Sequence, residues 1–412
     1  MRTEIGEKDI LKKYVASYRT IDLLDFSKAD FDKAIKTTAK RKINLNSRFQ
    51  LIALSELASI IRGITYPKNE QTIEETRNVI LTADNITLDG RFSISKKIYL
   101  NESFQMNPEK RLLLNDIFIC FASGSKKHVG KVAFIDSDQP YYAGGFMGIL
   151  RPFPEKVLPY YLYSLLNSDM VREIVKESST GANIQNLSNS IGAIKIPLPP
   201  IDIQQQIVNE CQKVDEEYNT SRMSVEDYRK KITQVFENQQ VMGGGKSLKI
   251  NSLLLPIIGE QTKIPQDEIL KNGTYPVITQ EAENEIAGYT DIDSPITDLP
   301  IVVFGDHSCT FKYIDYEFVR GADGTQLMKF NNEVVIPKFM YFLLQQTDIP
   351  NSGKYERHYK YLKELEVYVP SLTDQQRIVA QVEQYEAEIR KAQAVMEGCA
   401  ARKNAILNHY LN

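Results

Sequence analysis

The sequence predicts an α+β protein in which an antiparallel pair of long coiled-coil helices separates two globular α/β modules, with pseudo-two-fold symmetry. Three observations predict this class. A proline–glutamine motif occurs twice, an apolar repeat of alternating steps follows each copy, and short β-rich segments precede each copy. Such a duplication indicates two similar modules on one polypeptide.

The first copy of the motif reads Ile-Pro-Leu-Pro-Pro-Ile-Asp-Ile-Gln-Gln-Gln-Ile-Val over 196–208. The second copy reads Val-Tyr-Val-Pro-Ser-Leu-Thr-Asp-Gln-Gln-Arg-Ile-Val over 367–379. Aligned residues, such as Gln204 and Gln375, are 171 positions apart. Because proline is tolerated just ahead of a helix and at its first position, the motif predicts that a helix begins at each copy.

Apolar residues recur at alternating steps of four and three through each of these helices, a pattern typical of a coiled coil. Ser221 and Lys403 interrupt the pattern. A pair of unrelated core helices is the ordinary alternative, but the length and the duplication favour two helices that pack on each other. The predicted helix-pair seam consists of Ile207, Val214, Tyr218, Val225 and Ile232 in the first helix and Ile378, Val382, Tyr385, Ile389, Met396 and Ile406 in the second.

Connectivity predicts that the two helices are antiparallel. A helix of about 36 residues is about 54 Å long at 1.5 Å per residue. The second module begins after the first helix, near Lys246, and ends before the second helix, near Pro370. Because the ends of a compact domain usually lie close together, antiparallel helices are required, and they place the modules at opposite ends of the pair.

Both modules show the same succession of features. An apolar run leading into a polar turn, a glycine-containing turn and a short apolar helix occur at 116–125, 144–145 and 158–166 in the first module and at 300–306, 321–324 and 336–344 in the second. Divergent loops on a shared scaffold indicate two recognition modules of different specificity. The predicted division of the chain is 1–47 as a helical extension or linker, 48–200 and 246–370 as modules, and 201–245 and 371–412 as helical spacers.

The motif ahead of a long helix resembles the DNA-specificity subunit of type I restriction–modification systems. The segment 49–63 is similar to that family's opening of a recognition domain, and 180–188 resembles the loop before its proline motif. The resemblance covers about 48 to 412. It implies two target-recognition domains, each followed by a conserved helix, with the helices paired as a spacer. The second copy departs from the pattern, since it has one proline and a weakly matched opening at 247–255.

The resemblance also implies a function and partners. A sequence-specific, non-catalytic subunit would read a bipartite target in double-stranded DNA. DNA adenine methyltransferase subunits would bind its helical region, and a restriction endonuclease–translocase subunit would join them. S-adenosylmethionine and ATP would belong to those partners, so no cofactor is expected in this chain.

The composition predicts a cytoplasmic protein without a membrane span. Hydrophobic residues make up 42% of the 412 residues. No apolar run approaches the roughly 18 residues that a membrane helix needs. The N-terminus shows no signal-peptide pattern. The four cysteines are scattered without a Cys-x-x-Cys spacing, so neither a disulfide nor a zinc site is expected.

A net charge of −3 argues weakly against a DNA-binding protein, because affinity depends on local Lys and Arg near phosphates. Base reading favours Arg for guanine and Asn or Gln for adenine. The DNA-binding candidates are Arg62, Lys126, Lys127, His128, Arg151, Asn183 and Gln185 in the first module and Arg320, Lys354, Arg357, His358 and Lys360 in the second. Lys131 extends the first basic cluster. The alternative for each basic cluster is a solvated loop. The alternative for Asn183, Gln185 and the neighbouring Asn186 is that they form a turn or cap a helix.

Catalytic motifs fail on inspection, so the chain is predicted not to be an enzyme. Residues 243–247 resemble a phosphate-binding loop but follow a helix and have Gln240 where a glycine is required. The segment 138–141 is one residue away from an adenine-methyltransferase motif, but a cofactor-binding glycine segment is missing upstream. His307 beside Asp306 has no nucleophile at a telling spacing.

Two other functions fit parts of the sequence. The chain could be the recognition portion of a fused restriction enzyme–methyltransferase, because 1–47 faintly resembles the tail of an adenine methyltransferase. It could also be a duplicated scaffold that binds only protein. The segment 1–47 is expected to pack near the start of the first module or to dock a partner.

Overall fold

The computed structural model describes residues 47–125, 127–178, 185–187, 190–242, 244–258, 262–322, 324–349 and 357–412. The helical extension predicted at the N-terminus falls on residues 1–46, outside this part. The chain divides into two compact units, Met1–Glu217 with Glu397–Asn412 and Tyr218–Met396. Each long helix belongs partly to both units, whereas the sequence predicted domain borders at the helix ends.

The first module is built from short strands. In chain order they are β1 (Leu51–Ala53), β2 (Ala58–Arg62), β3 (Gln71–Thr72), β4 (Val79–Leu81), β5 (Ile98–Leu100), β6 (Ile117–Cys120), β7 (Ala122–Ser123), β8 (Val132–Phe134), β9 (Tyr142–Ala143), β10 (Met147–Pro152), β11 (Gln185–Asn186) and β12 (Lys195–Pro197). Its helices are α1 (Leu54–Leu57), α2 (Pro159–Leu166) and α3 (Asp169–Ser178). Strand β6 is buried along its whole length, as its continuous Ile-Phe-Ile-Cys run predicts.

The first long helix, α4 (Ile201–Met242), leads into the second module. The strands of that module are β13 (Lys246–Lys249), β14 (Leu254–Leu255), β15 (Lys263–Ile264), β16 (Tyr275–Ile278), β17 (Gly288–Thr290), β18 (Ile301–Gly305), β19 (Phe311–Ile314), β20 (Val319–Gly321), β21 (Thr325–Phe330) and β22 (Glu366–Val369). Its helices are α5 (Pro337–Gln345) and α6 (Tyr359–Glu364), and the second long helix is α7 (Leu372–Leu411).

The central sheets of the two modules share one topology. The central sheet has the order β2-β10-β6-β8 in the first module and β14-β21-β18-β19 in the second. A further sheet is β3-β5-β4-β9 in one and β15-β20-β16-β17 in the other. The parallel pair β4 with β9 corresponds to β16 with β20, but the second sheet has a further parallel pair, β15 with β20, so its outer strand lies on the opposite edge from β3. An antiparallel pair closes each module, β1 with β12 and β13 with β22. The predicted α+β fold class with duplicated modules is confirmed.

The long helices are antiparallel where they meet in the first unit. Tyr410 Oη donates a hydrogen bond to Glu210 at 2.6 Å. Farther along α4, Asp215 accepts one from Lys403 Nζ at 2.6 Å. As the residue numbers rise along α4, those of the partners on α7 fall. Lys403, which interrupts the apolar seam, is therefore neutralised by a carboxylate on the facing helix.

In the second unit, the later half of α4 and the first half of α7 enter a single apolar core. The rings of Tyr228 and Tyr385 lie 5.6 Å apart. Among the predicted seam residues of both units, seven are buried and four are partly buried. The buried ones are Ile207, Val214, Val225, Ile232, Ile378, Val382 and Ile389, and the partly buried ones are Tyr218, Tyr385, Met396 and Ile406.

A buried glutamine anchors the beginning of each long helix to its module. Gln204 accepts a hydrogen bond from the Leu158 backbone N–H at 2.9 Å and donates to the Pro199 carbonyl at 2.8 Å. Leu158 is the N-cap of α2, whose first N–H groups have no partner within the helix. The glutamine therefore satisfies α2 while it holds the start of α4 against it.

Gln375 repeats this arrangement at the start of α7. It accepts from the Ile336 N–H at 2.8 Å, at the N-cap of α5, and donates to the carbonyls of Pro370 at 2.9 Å and Val334 at 3.1 Å. Both glutamines are buried, with 1% and 0% of their surface exposed. The shared offset of 171 residues thus reflects a shared joint between module and helix.

We expect Gln375→Leu to destabilise the second unit by about 2–4 kcal/mol, because each buried polar group left without a partner costs about 1–3 kcal/mol. Gln376→Leu is the matched control, since its side chain is exposed one position away. Urea unfolding followed by circular dichroism measures both changes. Equal free energies of unfolding for the two variants would show that the buried joint does not stabilise the protein.

Candidate nucleic-acid interface

The same backbone frame surrounds the carboxyl end of the central strand in each module. In the first module, this strand is β6, and the residue after it is Phe121. The Phe121 N–H donates to the Phe146 carbonyl at 2.9 Å, and the Leu187 N–H donates to the Phe121 carbonyl at 2.9 Å. Three segments that are distant in sequence therefore meet at Phe121.

The second module has the same frame around Asp306, at the end of β18. The Asp306 N–H donates to the Gly324 carbonyl at 2.7 Å, and the His358 N–H donates to the Asp306 carbonyl at 3.1 Å. The three residues of the first frame thus have counterparts of different chemistry. The corresponding pairs are Phe121 with Asp306, Phe146 with Gly324 and Leu187 with His358.

The residue that faces this position from the neighbouring strand, β10 in the first module and β21 in the second, differs as well. A Cβ on Gly148 would lie 1.8 Å from the Phe121 ring, so the ring occupies space that only a glycine leaves open. The counterpart of Gly148 is Gln326, whose Nε2 donates to Asp306 Oδ2 at 3.1 Å. In the first module an aromatic ring thus packs on a glycine, whereas in the second a carboxylate accepts a hydrogen bond from an amide.

A cavity of about 370 Å³ opens beside this frame in the first module. Phe146 lies on its rim with 66% of its surface exposed. Asp84 and Lys96 line it as an ion pair with a separation of 2.9 Å, and the hydrogen bond from Lys96 lowers the pKa of Asp84. The cavity therefore combines an exposed aromatic ring with one carboxylate and one ammonium group.

Several DNA-binding candidates of the first module lie at this end of the sheet. Arg62 is exposed and pairs across the strands with Gly148. Lys127 is exposed, and the buried Nδ1 of His128 has no hydrogen-bond partner among the described residues. The backbone of Gln185 pairs with Ser123 on the cavity wall. Lys126, Asn183 and the side chain of Gln185 lie outside what the structure describes.

Arg151 lies at the opposite end of strand β10, where its guanidinium donates to both oxygens of Asp116 at 2.8 Å. Asp116 is fully buried, and its hydrogen bond raises the pKa of Arg151. The structure therefore places Arg151 away from the frame and gives it a buried partner. Its contact with DNA stays a prediction.

Lys131 does not extend the basic surface cluster, contrary to the sequence prediction. Only 5% of its surface is exposed, and its Nζ donates to the Ala83 and Ile86 carbonyls at 2.9 and 2.5 Å. Burial lowers the pKa of this lysine. Its physical role is to hold the turn after β4, which carries Asp84, against the end of the central sheet.

The candidates of the second module gather around Asp306. Arg320 is partly buried, with its Nε donating to the Thr325 carbonyl at 2.7 Å, and burial lowers its pKa. His358 is buried with 3% of its surface exposed, whereas Arg357 and Lys360 beside it are exposed. Lys354 lies outside the described residues.

The frame residues themselves were missed by sequence reasoning, apart from His358. Insertions change the offset between the modules along the chain, so Phe121 and Asp306 do not align on the motif's spacing of 171 residues. Phe121 is apolar and Asp306 is acidic, so no shared residue type marks the two positions as equivalent. Only the backbone hydrogen bonds identify them as equivalent positions.

One family model matches both modules. The model of the type I restriction modification DNA specificity domain matches residues 46–224 and again 254–395. These two matches span well over half of the chain, and each includes one complete frame.

The chain belongs to this family.

Curated relatives of the specificity-domain family match parts of the chain. The chain is 27% identical over 245 residues to the type I restriction enzyme EcoKI specificity subunit of Escherichia coli (strain K12), covering 57% of this chain and 49% of the relative. It is 32% identical over 166 residues to the StySPI specificity subunit of Salmonella potsdam, covering 38% of this chain and 34% of the relative. The matches thus span about half or less of the length of these relatives.

A solved structure shows the same fold over most of the chain. It is the S subunit of a type I restriction-modification system from M. genitalium, with a TM-score of 0.54 and 17% identity, covering 91% of this chain and 99% of that one. At this identity the likeness speaks for the fold alone. Both specificity domains, with their long helices, thus have a precedent among solved proteins.

No described helix is both long and apolar enough to cross a membrane. Across the same residues, no group of three or more His, Cys, Asp or Glu side chains is arranged to hold a metal ion.

Proposed function

We propose that this chain is the sequence-specific DNA-binding subunit of a type I restriction–modification complex. Each specificity domain reads one short half-site of double-stranded DNA, and the long helices fix the distance between the two half-sites. The target is bipartite, with an unspecified spacer. The chain carries no catalytic residue of its own and needs no cofactor.

One observation carries this proposal: two modules share a backbone frame but differ in the side chains at the corresponding positions. A protein that reads two different sequences needs this combination, because position comes from the scaffold and specificity from the side chains. Phe146 suits apolar contact with a thymine methyl group, whereas Arg320 and Gln326 suit the polar edges of guanine and adenine.

The exposed basic residues around the frames provide the affinity in this proposal. Arg62 and Lys127 surround the first frame, and Arg357 and Lys360 surround the second. Contacts of Lys and Arg with phosphates hold a protein on DNA irrespective of sequence, and salt weakens them. The net charge of −3 is compatible with this role because only these local charges approach the DNA.

The partners follow from the same proposal. DNA adenine methyltransferase subunits bind the helical region, and a restriction endonuclease–translocase subunit completes the complex in the cytoplasm. The domains are 48–200 and 246–370 as target-recognition domains, with 201–245 and 371–412 as spacers. Support comes from family membership and from the relatives, which are specificity subunits of type I restriction enzymes.

A long-read methylome of the source cell, with and without the gene, tests the proposal. We expect deletion to remove adenine methylation at one split motif, which would reveal both half-sites together. Restoring the gene should restore the same motif. An unchanged methylome, with expression of the chain and its methyltransferase verified, would contradict the proposed function and favour a scaffold that binds protein alone.

A further inference from the structure

A second cavity, of about 900 Å³, lies wholly within the second unit. Helices α4, α5 and α7 line it, together with the segment 346–349 that follows α5. Tyr341 and Gln345 on α5 and Glu386 on α7 form part of its wall. It is separate from the frame around Asp306, none of whose residues lines it.

The corresponding place in the first unit is occupied by the protein itself. A turn at 88–91, between β4 and β5, reaches across α2 to the long helices. Side chains from outside the turn hold it: Tyr163 Oη donates to the Gly90 carbonyl at 2.9 Å, Asn167 Nδ2 donates to the Asp89 carbonyl at 2.9 Å, and Asp215 Oδ1 accepts from Arg91 Nη2 at 3.0 Å. Arg172 Nη2 also donates to the Leu88 carbonyl at 3.0 Å.

Tyr163, Asn167 and Asp215 have counterparts in the wall of the cavity in the second unit. Tyr163 and Asn167 correspond to Tyr341 and Gln345 at an offset of 178, and Asp215 corresponds to Glu386 at the helix offset of 171. A phenol, an amide and a carboxylate are thus repeated in kind. The second unit has kept the groups that bind the turn.

The second module has a shorter connection in place of this turn. Sixteen residues separate β4 from β5, whereas nine separate the corresponding strands β16 and β17. In this shorter connection, Ala282 is the residue that reaches the wall of the cavity. The cavity therefore lies where the first unit places its arginine-bearing turn, and its wall carries the same kinds of polar group.

The carboxylate of Glu386 is the acceptor that an incoming cation would use, in a wall that also contains Arg229, Arg390 and Asp348. In the first unit, Asp215 has three polar partners, which are Arg91, Lys403 and the Tyr160 hydroxyl. Glu386 forms an ion pair with Arg390 at 3.7 Å, and Ile232 replaces the lysine on the facing helix. Burial raises the pKa of Glu386, so a second cation would stabilise its charged form.

We propose that this cavity receives a glycine–arginine turn of a partner protein, whose guanidinium pairs with Glu386 as Arg91 pairs with Asp215. Tyr341 and Gln345 bind backbone carbonyls of the incoming turn. The proposal goes beyond DNA reading, and its test contains no DNA, so the two can fail separately.

The probe is a cyclic peptide with the sequence of residues 87–92, Thr-Leu-Asp-Gly-Arg-Phe, titrated calorimetrically into the full chain. We expect saturable binding of one peptide per chain. Glu386→Gln is expected to weaken the affinity by about tenfold or more, since a charge-assisted hydrogen bond contributes about 1.5–3 kcal/mol. A peptide with norleucine in place of arginine should lose binding to the same extent.

Glu388→Gln is the matched control, because it removes an equal charge from the same helix at an ion pair with Lys391 on the outside. It should leave peptide affinity unchanged. Absence of saturable binding would overturn the proposal, and so would equal affinity for Glu386→Gln and the native chain. Equal loss in both variants would show only general electrostatic attraction and would likewise overturn it.

Cys309 provides a second measurement on the native chain. It lines the cavity and is partly exposed, whereas Cys120, Cys211 and Cys399 are buried. Burial raises the pKa of its thiol, so labelling with a disulfide reagent is slow but selective. We expect saturating peptide to reduce the labelling rate several-fold. An unchanged rate at saturation would place the peptide elsewhere and contradict the proposal.

Discussion

Inserting one heptad into each long helix, after Glu217 and after Met396, is expected to lengthen the DNA spacer by about three base pairs. Seven residues add about 10.5 Å at 1.5 Å per residue. Base pairs are stacked about 3.4 Å apart along the DNA. A heptad nearly preserves the direction of the apolar seam, so both insertions can pack on each other. Methylation of the original motif should be lost.

The methylome of cells that express the variant measures this change directly. Both half-sites should be unchanged, and only the number of unspecified bases should differ. A heptad in α4 alone is the control, because it shifts every later seam residue against α7 and should abolish methylation. A double insertion that methylates the original motif with its original spacer would contradict the role of the helices as a ruler.

Asp306→Leu is expected to weaken recognition of one half-site by about tenfold to a hundredfold while the other half-site is read normally. The Asp306 carboxylate accepts hydrogen bonds from the Tyr359 N–H at 2.7 Å and from Gln326 at 3.1 Å. Leucine leaves both donors without this acceptor, at about 1–3 kcal/mol each. The start of α6, which carries His358, then loses its fixed position.

Selection of bound duplexes from a randomised library, with the complete methyltransferase complex, separates the two half-sites. Asp306→Asn is the conservative control, because its side-chain oxygen can still accept from Tyr359, and it should keep most of the affinity. Phe121→Leu is the reciprocal variant and should affect only the other half-site. If both half-sites weaken equally in either leucine variant, the modules do not read DNA independently.

The arrangement of helices could be predicted because it depends on repeated spacing. The positions of Ile207 and Ile378 follow from an offset that insertions have not changed, and alternating steps of four and three determine which face is apolar. The mixed fold class follows from short apolar runs such as 117–121 that alternate with glycine turns. These features are local in sequence, so the sequence alone shows them.

The site could be predicted only in part, because its contacts join residues far apart in sequence. Lys131 and Lys127 look alike in the sequence, yet one is buried on backbone carbonyls and the other is exposed. Arg151 finds its carboxylate 35 residues away. The equivalence of Phe121 and Asp306 depends on backbone hydrogen bonds, which carry no sequence signature.

The glutamine joint has a consequence for the inheritance of specificity. Gln204 and Gln375 bond only to main-chain atoms of their modules, namely one N–H at a helix cap and carbonyls nearby. Every residue type presents a carbonyl and every type except proline presents an N–H, so the joint is indifferent to most of the sequence of the module it holds. Recombination at the proline–glutamine motif could therefore exchange one module for another of unrelated sequence. A new DNA target could arise in one genetic event, without any change in the helices.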